Sequence, residues 1–195
     1  MSFPAPTPKG PAEPPIARAR AWILAGAACF AFVSYLERTN ISITAEMMIP
    51  ALGLTKLQMG EIFTAFLIGY ALFQVPGGIA GDRLGPRKTL ALSALVWAAM
   101  TALTGVIPSL LRGHPHAAFW ALAAIRFTLG AAEATTFPVA NRVVRNWIPP
   151  GRRAMGNAIV FLGTSLASAT AGPLVAALML RIGWQRAFEI CALPA

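Results

Sequence analysis

The chain has 195 residues, of which 56% are hydrophobic and only 12% are charged, and its mean hydropathy is +0.63. Soluble domains carry about a quarter charged residues, so this composition excludes an ordinary soluble globular domain and favours an all-α, polytopic membrane protein. The net charge of +9 would indicate nucleic-acid binding only if the basic residues were gathered on one soluble face. They are spread over several connections, so no nucleic-acid partner is expected.

Residues 1–20 are predicted to form a disordered cytoplasmic tail, because this proline-rich segment has no apolar periodicity. The apolar run after Arg18 and Arg20 could be mistaken for a signal peptide. However, it leads into Glu37 and Arg38 rather than into a small-residue cleavage site. We therefore predict an uncleaved first membrane span.

Apolar segments long enough to cross a bilayer, which needs about 20 residues, recur along the rest of the chain. The predicted transmembrane bundle covers residues 21–195, with spans at about 21–48, 59–80, 89–107, 117–144 and 155–180 and a truncated sixth from about 187. Thr55 and Gln58 have the spacing of a capping box that starts the second span. Gly172-Pro173 suggests a kink or local unwinding in the fifth span.

The distribution of lysine and arginine predicts the orientation in the membrane. Ten basic residues fall on one side of the predicted spans: Lys9, Arg18, Arg20, Arg83, Arg87, Lys88, Arg142, Arg145, Arg152 and Arg153. Four fall on the other: Lys56, Arg112, Arg181 and Arg186. Because cytoplasmic loops are richer in basic residues, we expect a cytoplasmic amino terminus in a cell (inner) membrane.

Two ionisable groups lie within the fourth span, Arg126 and Glu133. Seven residues at 100° each bring the second to within about 20° of the first, so both face one side of a helix. Charges at membrane depth are costly and are usually functional. The alternative is a static ion pair that holds the bundle together, formed by Arg126 with Glu133 or with Glu37 of the first span.

The connection between the second and third spans contains glycines, one acidic residue and several basic residues. Asp82 can pair with a basic residue or a helix amino end, and such contacts would act as a conformational latch. The residues proposed for this latch are Gly78, Asp82, Arg83, Gly85, Arg87 and Lys88. Glycines 77, 81 and 85 also have the small-residue spacing that lets helices approach closely. The alternative is a solvated, positively charged cytoplasmic loop with no further role.

The pattern Gly-x-x-x-Asp-Arg-x-Gly-x-Arg-Lys at residues 78–88 resembles the signature loop of the major facilitator superfamily. Three further stretches, residues 35–42, 126–142 and 183–188, are similar to the anion:cation symporter branch, which includes sugar-acid and aromatic-acid permeases. The resemblance covers about residues 21–188. It implies a major facilitator fold of two six-helix halves with the substrate between them. This chain would be the amino-terminal half, with five spans and the start of a sixth, and its partner would be the missing carboxy-terminal half.

The resemblance also implies roles for individual residues. Substrate-binding positions match Tyr35, Arg38, Arg126 and Thr164, and proton-coupling positions match Glu37 and Glu133. Most relatives have Asp at the position of Glu37, and relatives often have Gln near Thr164. The implied function is proton-coupled symport of a small organic anion across the lipid bilayer by alternating access.

No enzyme signature is present in the sequence. The chain has no phosphate-binding Gly-Lys-Ser/Thr loop, no nucleophile with a plausible base and no metal-ligand cluster. We therefore expect neither a cofactor nor a metal. Two alternatives to anion import stay open: a truncated fragment that transports nothing by itself, and an exporter of drugs or metabolites.

Overall fold

The computed structural model describes residues 15–111 and 113–193, which fold into a bundle of helices. The helices are α1 (Pro15–Leu52), α2 (Lys56–Leu84), α3 (Pro86–Leu110), α4 (Pro115–Glu133), α5 (Thr136–Trp147), α6 (Arg153–Ile182) and α7 (Trp184–Cys191). A short 3-10 turn at Pro150–Arg152 precedes α6. Within the described ranges, five helical stretches are long and apolar enough to cross a membrane, with α4 and α5 counted as one.

The predicted spans at about 21–48, 59–80, 89–107 and 155–180 fall within α1, α2, α3 and α6, and that at 117–144 covers parts of α4 and α5. Helix α1 begins at Pro15, before the predicted start at residue 21, so the last residues of the predicted tail are helical. Residues 1–14 of that tail lie outside the described part of the chain. Helix α7 has eight residues and lies where the start of a sixth span was predicted.

The capping box predicted at the start of the second span is confirmed. Thr55 Oγ1 accepts a hydrogen bond from the backbone N–H of Gln58 at 3.2 Å. In return, the Thr55 backbone N–H donates to Gln58 Oε1 at 2.9 Å. This reciprocal pair satisfies two backbone donors that the first turn of α2 would otherwise leave free.

The sequence suggested a proline interruption in the fifth span, but the structure has it in the fourth span, and the fifth is continuous. The continuous helix predicted over 117–144 ends at Glu133 and resumes at Thr136. Pro138 explains the interruption, since it has no N–H for the carbonyl of Ala134 and its ring crowds that carbonyl. The local unwinding suggested at Gly172-Pro173 is absent, because α6 continues through Pro173 to Ile182.

The main helix contacts join helices that are distant in sequence. Helix α2 packs mainly against α4, and α1 packs mainly against α6. A Cβ on Gly69 would collide with the carbonyl oxygen of Phe127, and a Cβ on Gly130 would collide with that of Phe66. These two glycines therefore let the backbones of α2 and α4 touch.

The predicted small-residue spacing at the end of α2 holds for two of its three glycines. A Cβ on Gly77 would lie 2.9 Å from Thr135 Cγ2, and one on Gly81 would lie 2.6 Å from Val139 Cγ2. The prediction is wrong for Gly85, which has no close neighbour there. Its φ of +83° instead lets the chain turn from α2 into α3.

Two apolar clusters flank the buried charges. The larger cluster joins the carboxy-terminal half of α1 to α2, α4, α6 and α7, and includes Met48, Ile62, Leu122, Val175 and Phe188. A smaller cluster contains Phe66, Trp97 and Leu129, with Phe30 and Tyr70 packed against it. The charged side chains of α1 and α4 lie between these clusters, where water is largely excluded.

Candidate functional site

An ion pair between α1 and α4 forms the centre of the site. Arg38 Nη2 lies 3.0 Å from Glu133 Oε2, and Arg38 Nε donates a hydrogen bond to the same oxygen at 3.1 Å. The side chain of Glu133 is fully buried, while that of Arg38 is 27% exposed. The second carboxylate oxygen of Glu133 has no hydrogen-bond partner among the described residues. Glu133 is therefore held by Arg38, and not by Arg126 on its own helix.

Aromatic rings surround the Arg38 guanidinium. Its central carbon lies 4.6 Å from the ring centroid of Tyr70, 5.0 Å from that of Phe66 and 5.7 Å from that of Tyr35. Cation–π contacts of this kind hold a guanidinium in place while leaving its donors free for an anion. Tyr35 was predicted to belong to the site, whereas Tyr70 and Phe66 were not. The chain has only two tyrosines, and that scarcity in apolar spans was the available signal for Tyr70.

Glu37 faces a different direction from Arg38 and is completely buried. Its Oε2 accepts a hydrogen bond from Thr101 Oγ1 of α3 at 3.1 Å. Its Oε1 has no hydrogen-bond partner in residues 15–111 and 113–193. Sequence reasoning did not identify Thr101, since one threonine in an apolar helix gives no distinctive signal.

Arg126 is only 1% exposed. No carboxylate of the described residues lies within ion-pair distance of it, and its Nε and Nη2 have no hydrogen-bond partner there. Among the described residues its one cation–π contact is with Phe188, whose ring centroid lies 5.9 Å from the central guanidinium carbon. The alternative of a static ion pair between Arg126 and Glu133 or Glu37 is therefore not what the structure contains.

A partly open cavity of about 230 Å³ brings the two arginines together. Its lining consists of Arg38, Ile41, Ser42, Phe63, Phe66, Leu67 and Arg126. Apolar walls around a few converging polar groups are the usual composition of a small-molecule site. One of the two guanidinium charges is balanced by Glu133 and the other is not, so the cavity is suited to an anion.

Two of the predicted substrate-binding residues do not line this cavity: Tyr35, whose ring lies against the Arg38 guanidinium, and Thr164. Thr164 lies on α6, and its Oγ1 donates to the backbone carbonyl of Phe161 at 2.7 Å. It does not line the cavity that contains Arg38 and Arg126. Its role in substrate binding stays a prediction.

The predicted latch residues lie at the junction of α2, α3 and α5. Asp82 forms an ion pair with Arg142 of α5, and both line a cavity with Gly78 and Pro138. The other basic residues of the loop, Arg83, Arg87 and Lys88, are exposed, and no ion pair joins them to any described residue. Their part in the latch stays a prediction.

Comparison with known proteins, by sequence and by fold, relates the chain to membrane transporters. The sequence profile of the Major Facilitator Superfamily matches residues 27–195. The chain is 35% identical over 159 residues to a probable sulfoacetate transporter of Cupriavidus necator, a match that covers 82% of this chain and 35% of that protein. It is also 35% identical over 160 residues to a hexuronate transporter of Bacillus subtilis, covering 81% of this chain and 35% of that one. The chain thus spans about a third of the length of these curated relatives.

The fold matches a solved transporter. A bacterial homologue of the human lysosomal transporter Spinster, in an inward-facing and unoccupied conformation, has a TM-score of 0.79 at 21% identity, covering 94% of this chain and 41% of that one. The named relatives transport organic anions and are not enzymes. With its profile match, its five membrane-length helices and this fold, the chain is a multi-pass membrane protein that belongs to the major facilitator superfamily.

Proposed function

We propose that this chain is the amino-terminal half of a proton-coupled symporter that imports an organic carboxylate anion by alternating access. The observation that carries the proposal is the buried guanidinium of Arg126, whose Nε and Nη2 have no partner in the described residues and which lines a cavity with Arg38. Relatives named as transporters of sulfoacetate and hexuronate support the choice of an anionic substrate.

The substrate carboxylate would occupy the cavity between the two arginines. An unpaired charge is costly to bury, and a carboxylate can accept two parallel hydrogen bonds from a guanidinium. An anion bound to Arg126 would therefore offset a cost that the empty site carries. Thr164 and the missing half would complete the contacts to the rest of the substrate.

Proton coupling would operate through Glu133. Its carboxylate is the group that holds Arg38, through the contact at 3.0 Å. Proton uptake removes the negative charge, which releases the guanidinium to bind the substrate. Proton and anion then load together, and Glu37, the residue before Arg38 on α1, supplies a second buried carboxylate that Thr101 holds.

Replacing Glu133 with Gln tests this mechanism. Glu133→Gln mimics the protonated state permanently, so we expect uptake driven by a proton gradient to be lost while counterflow exchange of the anion is retained. The measurement is radiolabelled anion flux in proteoliposomes that contain a carrier whose amino-terminal half is this chain. Glu61→Gln, at an exposed carboxylate of α2, is the matched control. Equal loss of uptake and exchange in Glu133→Gln would refute the coupling role.

The second element of the proposal is a conformational latch formed by Asp82 and Arg142. Because 61% of the Asp82 side chain is exposed, the ion pair contributes at most about 1 kcal/mol to stability. We expect Asp82→Asn to leave the melting temperature nearly unchanged and to slow transport. The charge exchange Asp82→Arg with Arg142→Asp should recover part of the rate. A melting temperature that falls in proportion to the transport rate would instead indicate a purely structural pair.

A further inference from the structure

A second cavity lies at the end of the bundle that carries most of the basic connections, away from the Arg38–Arg126 site. It has a volume of about 240 Å³ and lies between the start of α1 and the start of α6. Its lining includes Arg20, Leu24, Ile148, Arg152, Met155 and Ile159. We call this cavity the α1/α6 groove.

Two arginines of the groove have no ionic partner among the described residues. Arg20 Nε is buried and has no hydrogen-bond partner there, and Arg152 is exposed. The neighbouring Arg153 differs, since its Nη2 donates to the carbonyl of Arg145 at 3.0 Å and its Nε to that of Ile148 at 3.3 Å. Arg153 therefore stabilises the end of α5, whereas Arg20 and Arg152 leave their donors free at the groove.

The remaining wall of the groove is apolar. A Cβ on Gly156 would lie 2.9 Å from Val144 Cγ1 and 3.6 Å from Leu24 Cδ2, so α1, α5 and α6 converge there. Met155 is 67% exposed although it is apolar. The groove therefore combines two cationic donors with an apolar surface that is open to its surroundings.

This combination matches an amphiphile with an anionic head. In a membrane protein, basic pockets between helices on the cytoplasmic side are suited to phospholipid headgroups. The volume is below the roughly 300–1,000 Å³ of cavities that enclose a drug-sized ligand, so it fits a headgroup whose acyl chains continue into the bilayer. A soluble anion would use the arginines but would gain nothing from Leu24, Met155 and Ile159.

We propose that the α1/α6 groove binds an anionic phospholipid, with the phosphate between Arg20 and Arg152 and the proximal acyl chain against the apolar wall. The site is independent of the transported anion, because it shares no residue with the cavity at Arg38 and Arg126. Its occupant joins the first helix to the beginning of α6 at the membrane surface.

Native mass spectrometry of the chain in detergent micelles, titrated with phosphatidylglycerol, tests the proposal. We expect the double variant Arg20→Gln/Arg152→Gln to bind phosphatidylglycerol about 25-fold more weakly, since each arginine near a lipid surface contributes about fivefold in affinity. Phosphatidylcholine, which has no net charge, should bind weakly to both proteins. Circular dichroism checks that the variant keeps its helical content.

The matched control is Arg18→Gln/Arg87→Gln, which removes the same charge from two exposed positions outside the groove. It should retain nearly all of the affinity. Equal weakening in both double variants would show a diffuse charge effect and overturn the site. Binding of inorganic phosphate as tight as that of phosphatidylglycerol would overturn the lipid as occupant. Loss of lipid binding on removal of residues 1–14 would overturn the α1/α6 groove as the binding site.

Discussion

The two arginines in the central cavity differ in how their charge is compensated. Arg38 has a carboxylate partner at 3.0 Å and three aromatic rings around it. Arg126 is more deeply buried, yet two of its nitrogens have no partner within residues 15–111 and 113–193. The proposed anion site needs one cation without a direct ion-pair partner, and Arg126 forms no ion pair with the described residues.

This difference predicts that two matched substitutions lower the free energy of unfolding by unequal amounts. Arg38→Met leaves Glu133 buried without its counter-ion, so we expect the free energy of unfolding to fall by up to about 3 kcal/mol. Arg126→Met removes a guanidinium that has no ion-pair partner, so we expect a much smaller loss or none. Thermal unfolding of the purified variants in micelles measures both.

The double variant Arg38→Met/Glu133→Gln serves as the control for this pair. It removes both charges, so most of the stability lost in Arg38→Met should return. If Arg126→Met were the less stable of the two single variants, the assignment of Arg126 as the free cation would be wrong.

The sequence predicted which charges are buried but not how they pair. Helical periodicity placed Arg126 and Glu133 on one face, and both are buried. The partner of Glu133 is nevertheless Arg38, and that of Glu37 is Thr101. These pairings depend on how far each helix is rotated against its neighbours, which a single-helix pattern does not contain.

At the level of the helices, α2 and α4 contact each other through backbone and not only through side chains. Gly69 and Gly130 each face a carbonyl oxygen of the opposite helix, so α2 and α4 approach to the limit that glycine allows. Lipid tails are as apolar as leucine, so close packing of this kind drives helix association in a membrane.

A methyl group at this contact should therefore disrupt it. We expect Gly130→Ala to reduce the stability of the bundle by about 1–3 kcal/mol or more, because the Cβ meets the backbone of Phe66, which cannot rotate away. Gly60→Ala, in α2, is the matched control, since a Cβ there has nothing within 4 Å, and alanine is the better helix former. Melting temperature and the monodisperse fraction on size exclusion report both effects. A variant Gly130→Ala as stable as Gly60→Ala would mean that α2 and α4 can separate at no cost.

Prolines show where prediction from sequence fails at this level. Pro76, Pro108 and Pro173 all lie inside continuous helices, while Pro138 accompanies a break between α4 and α5. Near that break, Thr135 Oγ1 lies 2.7 Å from Ser93 Oγ of α3 and also donates to the carbonyl of Ala132 at 3.1 Å. A neighbouring helix thus offers the broken segment polar partners, and such tertiary help cannot be inferred from the residue beside a proline.

For the whole molecule, the asymmetry of basic residues sets an expected orientation. Lys88 lies on the side predicted to be cytoplasmic, and Lys56 lies on the opposite side. We expect Lys56→Cys to react with a membrane-impermeant maleimide in intact cells and Lys88→Cys to react only after permeabilisation.

Both substitutions belong in a background with Cys29→Ala and Cys191→Ala, which removes the native thiols. The parent background without added cysteine gives the blank. Labelling of Lys88→Cys in intact cells would place the amino terminus outside and would contradict the proposed direction of the latch.

The pairing of α1 with α6 and of α2 with α4 has a consequence for biosynthesis. Residues 53–182 must be synthesised after α1 before its main partner is complete, which takes about 7 to 26 seconds at 5–20 residues per second. During that time Ala28 of α1 cannot yet make its final contact, in which its carbonyl packs against Gly163 of α6. Each early helix must therefore be retained beside the translocon or sheltered by lipid, and the order of insertion is not the order of assembly.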